Sequence, residues 1–236
     1  MHASDRNRPK SREAVEMLPL GIRKWAWTQG WRRLRPIQER AITAVHRNPR
    51  EDVLLFAPDQ GGKTESAFLA MLSVLTANAH SGAGIRALYL SPLGDLIDSQ
   101  FTRLDGMVRS TGLALWRMHS GVSEPETLSG ASSPSGVLMA TVDAVEDLLA
   151  RSRTESHQRL EHLEFSVVDE LHVFMSSDLG HRLQVLLENL ERIAEAPARR
   201  LGLSAEEGSP RMACDFLRPP RNASAIVIEE WTAPER

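Results

Sequence analysis

Between residues 50 and 205 the chain switches repeatedly between two apolar patterns. Short runs are apolar at nearly every position: "DVLLFA" (52–57), "IRALYLS" (85–91), "LALWRMH" (113–119), "GVLMAT" (136–141), "FSVVDE" (165–170) and "RRLGLSA" (199–205). Strands covered on both faces read this way, because neither side of the pleat meets water. Between them lie "KTESAFLAMLSVLTANA", "GDLIDSQFTRLDGMVRS", "VDAVEDLLARS" and "GHRLQVLLENLERIAEA", whose apolar residues recur at helical spacing. Upstream, "GIRKWAWTQGW" and "PIQERAITAVHRN" read as two more helices, the second opened by Pro36 where no backbone donor is needed. Strands alternating with helices predict an α/β domain, a mainly parallel sheet with helices on both faces. "SEPETLSGASSPSG" (123–136) is rich in Ser, Pro and Gly and reads as a surface loop. Residues 1–17 are expected to be a disordered basic arm, 18–215 the domain, and 216–236 a linker or tail. In that tail "SAIVIEEWTAPER" is long enough only for a linker or a last strand.

Charge sharpens the picture at one end only. Net charge over the 236 residues is −3, yet residues 1–50 hold 12 Lys/Arg against 4 Asp/Glu, and the remainder 16 against 27. A basic first fifth can meet nucleic-acid phosphates, or can be a solvated arm. Cys214 is the only cysteine, which excludes an intrachain disulfide and a Cys-rich zinc cluster and fits a reducing, cytoplasmic setting. No apolar run approaches the roughly 20 residues of a membrane span. The opening "MHASDRNRPKSREA" lacks the apolar core of a secretory signal.

Two segments carry candidate chemistry. In "APDQGGKT" (57–64), Gly62, Lys63 and Thr64 follow an expected strand and open an expected helix. Backbone N–H groups of such a turn cradle phosphate, the lysine adds charge beside it, and the hydroxyl can ligate Mg²⁺. The plain alternative is a Gly-rich turn with an exposed lysine. In "FSVVDELH" (165–172), Asp169 and Glu170 end an apolar run. Strand ends line the ligand crevice of an open parallel sheet, where one carboxylate can hold a metal and its neighbour a water. An acidic pair after a strand is otherwise common, but its pairing with Lys63-Thr64 about a hundred residues upstream favours phosphate chemistry. Trp25, Trp27 and Trp31 lie close to Gln38, with helix packing as their default role. His157, His162 and His181 have no metal-ligand spacing and read as surface residues.

With those residues in hand, the chain resembles the first RecA-like lobe of superfamily 2 helicases of the DEAD/DExH kind, closest to the large helicase-related (Lhr) group. Six segments follow the family's order over about residues 20–215: "LRPIQ", "APDQGGKT", "LYLSPLGDLIDSQ", "ATVDAVEDLL", "VVDELH" and "GLSA". The resemblance implies a RecA-like P-loop NTPase fold and an ATP-dependent helicase-type hydrolase with ATP and Mg²⁺ as cofactors. It implies that Gln38 reads the adenine edge and that Gly61, Gly62 and Lys63 grip the phosphates. Thr64 and Asp169 would hold Mg²⁺, and Glu170 would activate water. His172 and Ser204 would couple hydrolysis to movement. Ser91, Pro92, Leu93 and Thr141 would touch the backbone of single-stranded DNA or RNA, contacts that position a strand without reading its sequence. The implied partners are nucleic acid and a second RecA-like lobe or partner chain, with no membrane.

The departures from the family pattern are local. Asp59 and Gln60 stand where the family has threonine and glycine, so a carboxylate faces the polyphosphate and a side chain resists a positive φ, leaving Gly61 to take over part of the turn. Glu206 replaces a threonine after "GLSA", and Ala140 and Val142 flank Thr141 where threonine and proline are usual. Gly94 and Asp95 replace lysine and alanine, which removes a phosphate contact. No second lobe is legible after Glu206. Two readings therefore stand: an ATP-binding lobe whose hydrolysis and unwinding depend on a missing second lobe, or a degenerate, non-hydrolysing module that binds nucleotide or nucleic acid and regulates a partner. A P-loop enzyme acting on small molecules is disfavoured, because the backbone-contacting segments would then have no purpose.

Overall fold

A computed structural model describes residues 11–77, 84–122, 134–151, 153–205, 209–218 and 225–230, with Pro125 and Leu128. Among them are β1 (Asp52–Phe56), β2 (Gly84–Leu90), β3 (Ala114–Met118), β4 (Ser135–Ala140), β5 (Phe165–Val168), β6 (Arg199–Ser204) and β7 (Ala225–Glu229). They form one sheet in the order β3-β4-β2-β5-β6-β1-β7. Every pairing is parallel. Six strands fall on the six apolar runs. The seventh is the last strand that "SAIVIEEWTAPER" allowed, and it runs beside β1 from Asp52↔Ala225 to Phe56↔Glu229.

The continuous apolar runs resolve into two faces with the period of two that a pleat imposes. Val53, Leu55, Tyr89 and Val167 point into one core; Leu54, Phe56, Leu88, Leu90 and Val168 point into the other. The first core is closed by α3 (Pro36–Arg47), α4 (Lys63–Ala77) and α5 (Gly94–Arg109), the second by α6 (Val142–Arg151), α9 (Leu179–Ile193) and α10 (Pro210–Leu217). The helix α4 is buried almost all round, which is why its sequence is apolar with little sidedness.

Four helices were not expected. The arm anticipated over 1–17 is helical over Ser11–Met17 (α1), where Ala14 and Leu18, one turn apart, are buried and Glu13 pairs with Arg47 at 2.6 Å. After α2 (Leu20–Thr28), the polar α7 (Arg153–Leu160) and the short α8 (Leu171–Met175) fill connections. The helix α10 starts where the alternation fades, with Pro210 at its first position and the Ser209 hydroxyl accepting from the Met212 amide. The anticipated loop at 123–136 lies mostly outside the described residues, and Ser135 and Gly136 belong to β4.

The end of the sheet opposite the candidate site is tied by buried charge. Asp52 accepts from the Arg200 amide at 2.8 Å and pairs with Arg218 at 2.6 Å; Glu191 in turn receives Arg218 at 2.6 Å and Arg200 at 2.7 Å. This cluster fixes α9 and α10 to β1 and β6. Asp52 and Arg200 are buried while Arg218 and Glu191 are partly exposed, so removing Asp52 strands cationic partners at a largely buried position. Asp52→Ala should lower the unfolding free energy by about 3 kcal/mol, measured as a shifted urea midpoint at unchanged slope.

Candidate nucleotide site and nucleic-acid edge

The strand β1 ends at Phe56, a six-residue loop crosses the carboxyl edge of the sheet, and α4 begins at Lys63. Two residues of this loop are left-handed, Gln60 at φ +61° and Gly62 at φ +85°. The sequence expectation put part of that turn on Gly61, but Gln60 adopts it instead. Gly61 is needed for space, because a Cβ there would lie 2.8 Å from the Pro58 carbonyl and 2.9 Å from the Ala57 Cβ. The Gln60 carbonyl is held by Arg35 Nη1 at 2.7 Å, and Gln60 is exposed among the residues that line the adjoining cavity.

Behind the loop lies a cavity of about 710 Å³. Gln38, Gly62, Lys63, Thr64 and Glu170 all line it, so residues from α3, the loop, α4 and the end of β5 converge there. Thr64 Oγ1 donates to Asp169 Oδ2 at 3.2 Å, closing a span of 105 residues. Lys63 is buried and its ammonium is turned back, donating to the carbonyls of Ala57 at 2.7 Å and Pro58 at 3.1 Å, with Asp59 Oδ1 at 3.8 Å. Gln38 spends its carbonyl oxygen on the Arg35 amide at 2.8 Å, capping α3.

The two acids differ in environment. Burial raises the Asp169 pKa, against hydrogen bonds from the Tyr89 hydroxyl (2.5 Å) and the Glu170 amide (2.9 Å), the nearby Lys63 charge and the Thr64 hydroxyl. Glu170 is half-buried, and its pKa is raised by burial and then by Asp169. It is also left-handed, at φ +52°, where it caps α8. His172 Nδ1 lies 3.5 Å from Glu170 Oε2 and 3.4 Å from Ser204 Oγ, so the expected coupling pair meets beside the expected base. Glu206, the departure beyond Ser204, lies outside the described residues.

Sequence reasoning missed several residues at the cavity. Arg33, Arg35 and Arg103 add cations to Lys63, facing Asp59, Glu65 and Glu170. Arg33 immediately precedes "LRPIQ" and Arg35 lies within it, a signal that was present; Arg103 is legible only once α5 is known to pass the cavity. Of the three tryptophans, Trp31 lines the cavity with Trp25 edge-on at 5.4 Å, whereas Trp27 is 65% exposed under the Arg32 guanidinium.

Ser91, Pro92, Leu93 and Thr141 follow the paired ends of β2 and β4, where Leu90 is opposite Ala140. They share the carboxyl edge with the cavity but stand apart from it, since β5 and β6 separate β2 from β1. Leu93 is 60% exposed, while Ser91 is fully buried, its hydroxyl inside the fold. The lysine lost at Gly94 has a steric counterpart: a Cβ there would lie 2.6 Å from His119 Nδ1. His119 in turn reaches Asp98 at 3.2 Å, which Arg117 also holds at 2.6 Å. Among the described residues, no cluster of His, Cys, Asp and Glu forms a ready metal cage, and no helix is long and apolar enough to cross a membrane.

Residues 35–206 match the model of the DEAD/DEAH box helicase family. The chain belongs to that family. This helicase domain is 29% identical over 217 residues to an "Lhr helicase/ probable uracil glycosylase" of Mycolicibacterium smegmatis, covering 84% of the chain and 14% of that protein. It is 27% identical to "ATP-dependent helicase Lhr-Core protein 2" of Thermococcus barophilus, covering 82% of the chain and 23% of that protein. The chain thus spans under a quarter of these two relatives. Among solved structures, the Mycobacterium smegmatis helicase Lhr bound to ssDNA and AMP-PNP superposes with a TM-score of 0.75 at 24% identity, over 93% of the chain and 28% of that one. Mss116p bound to ssRNA and AMP-PNP gives 0.81 at 15% identity, over 95% and 46%. At these identities the likeness establishes the fold, a RecA-like helicase lobe.

The strained loop position yields a test. A non-glycine residue in the left-handed region costs about 1–2 kcal/mol, partly offset by the extra chain entropy that glycine loses. Gln60→Gly should therefore raise stability by up to about 1 kcal/mol in urea denaturation. The Arg35 contact survives because it is made to backbone.

Proposed function

We propose that this helicase domain binds Mg-ATP in the cavity beside Lys63 and single-stranded nucleic-acid backbone along Pro92, Leu93 and Thr141. Hydrolysis and unwinding then require a second RecA-like lobe. The observation that carries the reading is the Thr64–Asp169 hydrogen bond at the cavity wall, with Glu170 lining the same space. Relatives described as ATP-dependent helicases, and a neighbour bound to ssDNA and AMP-PNP, support it.

The donor set fits a hard cation: a hydroxyl and a carboxylate oxygen, with the remaining positions left to phosphate and water, as Mg²⁺ prefers. Bound there, Mg²⁺ would neutralise charge on the β- and γ-phosphates. The chain's own residues supply the rest. Lys63 exchanges its two loop carbonyls for phosphate oxygens, the amides at the start of α4 face the same anion, and Arg33, Arg35 and Arg103 deepen the positive field. Glu170 accepts the proton of the attacking water, its carboxylate steadied by His172. An arginine from the second lobe would complete the charge around the transferring phosphoryl group, a contribution worth orders of magnitude in related NTPases.

One observation favours the second reading, a binding module without hydrolysis. The Lys63 ammonium is satisfied by its own loop and shadowed by Asp59. The readings separate if Mg-ATP binds and a matching second lobe is added: hydrolysis supports the motor lobe, and its absence supports the binding module.

Titration calorimetry with ATP and Mg²⁺ should show binding by the wild type, none by Lys63→Ala, and retained binding by Glu170→Gln. Glu170→Gln should also block turnover when the second lobe is supplied. Equal binding by wild type and Lys63→Ala would remove the nucleotide reading. Asp59→Asn relieves an exposed repulsion and should tighten ATP about two- to fivefold at low salt, a gain that disappears in 1 M salt.

A further inference from the structure

We infer that Tyr89 is a positioning residue for the Asp169 carboxylate, locking the oxygen that would face the metal; this rests on the Mg-ATP reading above. Tyr89 is the only tyrosine in the sequence. It sits in β2 opposite Val167 of β5, two residues before Asp169, and is 1% exposed. Its ring packs against Phe68 of α4 at 5.8 Å between centroids, and its hydroxyl ends 2.5 Å from Asp169 Oδ2.

Among the described residues, Asp169 accepts three hydrogen bonds. Oδ1 receives the Glu170 amide, and Oδ2 receives both the Tyr89 hydroxyl and Thr64 Oγ1. The phenol comes from the buried strand β2 and the amide from the residue that caps α8, so together they fix the plane of the carboxylate. A buried phenol must find an acceptor somewhere. Here the acceptor is the one carboxylate oxygen that the phosphate-loop hydroxyl also reaches, so the strand interior and the loop are joined through a single atom. Hydrogen bonds to an ionised group are the strong ones. Without the phenol, Oδ2 would be left in an apolar place with Thr64 as its one remaining donor, free to turn away from the cavity.

The prediction therefore concerns the metal, not the nucleotide as such. AMP-PNP binding is measured by calorimetry over a range of Mg²⁺ concentrations and in EDTA. In Tyr89→Phe the Mg²⁺ needed for the half-maximal gain in affinity should rise about tenfold, with affinity in EDTA unchanged. In an Asp169→Asn background, Tyr89→Phe should add nothing. Because there is one tyrosine, 3-fluorotyrosine labels this position alone without a substitution, which keeps the test open if Tyr89→Phe does not fold. Its ¹⁹F resonance should move when Mg²⁺ joins bound AMP-PNP, and should not move on Mg²⁺ addition in Asp169→Asn. An unchanged Mg²⁺ midpoint, equal weakening with and without Mg²⁺, or a resonance indifferent to Mg²⁺ would overturn the assignment while leaving the nucleotide site standing. A wild type that binds AMP-PNP in neither condition would remove the nucleotide reading itself.

Discussion

A strand that is hydrogen-bonded on both sides and covered on both faces has nowhere to place a charge except at its ends. That constraint governs this chain. Helices α3, α4 and α5 close one side of the sheet and α6, α9 and α10 the other, so the interior positions of β1, β2 and β5 are apolar almost without exception. Ionisable groups are driven to the two rims. One rim holds the Asp52–Glu191–Arg200–Arg218 cluster, which is structural. The other holds Lys63 and Glu170 on a cavity, with Asp169 buried behind Thr64. Arg86, Ser166 and Tyr89 are the polar positions let into β2 and β5: Arg86 is paired with Glu164, and the Tyr89 hydroxyl reaches Asp169.

The same constraint explains why the loop between β1 and α4 tolerates its unusual residues. Gln60 and Asp59 are exposed, outside the packed layers, so neither disturbs the sheet. The cost stays local, as one left-handed side chain and one carboxylate near an ammonium. Arg35 steadies the loop from outside through the Gln60 carbonyl, and the cap that Gln38 places on α3 holds Arg35 at the right height. At the carboxyl edge beside β2 and β4 the glycine at position 94 is likewise matched, since His119 lies where a side chain would have stood.

Most of the architecture was legible because continuous apolar runs and helical periodicity are strong signals in a doubly covered sheet. What was not legible had weak periodicity. The helix α1 buries little beyond Ala14 and Leu18 among charged neighbours, α7 is almost wholly polar, α8 is a single turn after a left-handed residue, and α10 depends on a serine cap. At the site, the positions of Lys63, Thr64, Asp169 and Glu170 followed from motif spacing. The hydrogen bonds they make did not. That the lysine folds back onto its own loop, that Gln60 rather than Gly61 turns left-handed, and that Tyr89 reaches Asp169 all depend on register and close packing, which a linear pattern does not encode.

The placement of β7 carries a consequence for anything joined downstream. Because β7 runs parallel to β1, it emerges at the same rim as the loop between β1 and α4, where the Glu230 amide bonds the Phe56 carbonyl at 2.9 Å. A module tethered there would start its path beside the cavity mouth, at a local concentration in the millimolar range for a short flexible tether. Such a module would need little intrinsic attraction for this domain to meet it. The same module offered as a free chain would have to supply that attraction itself.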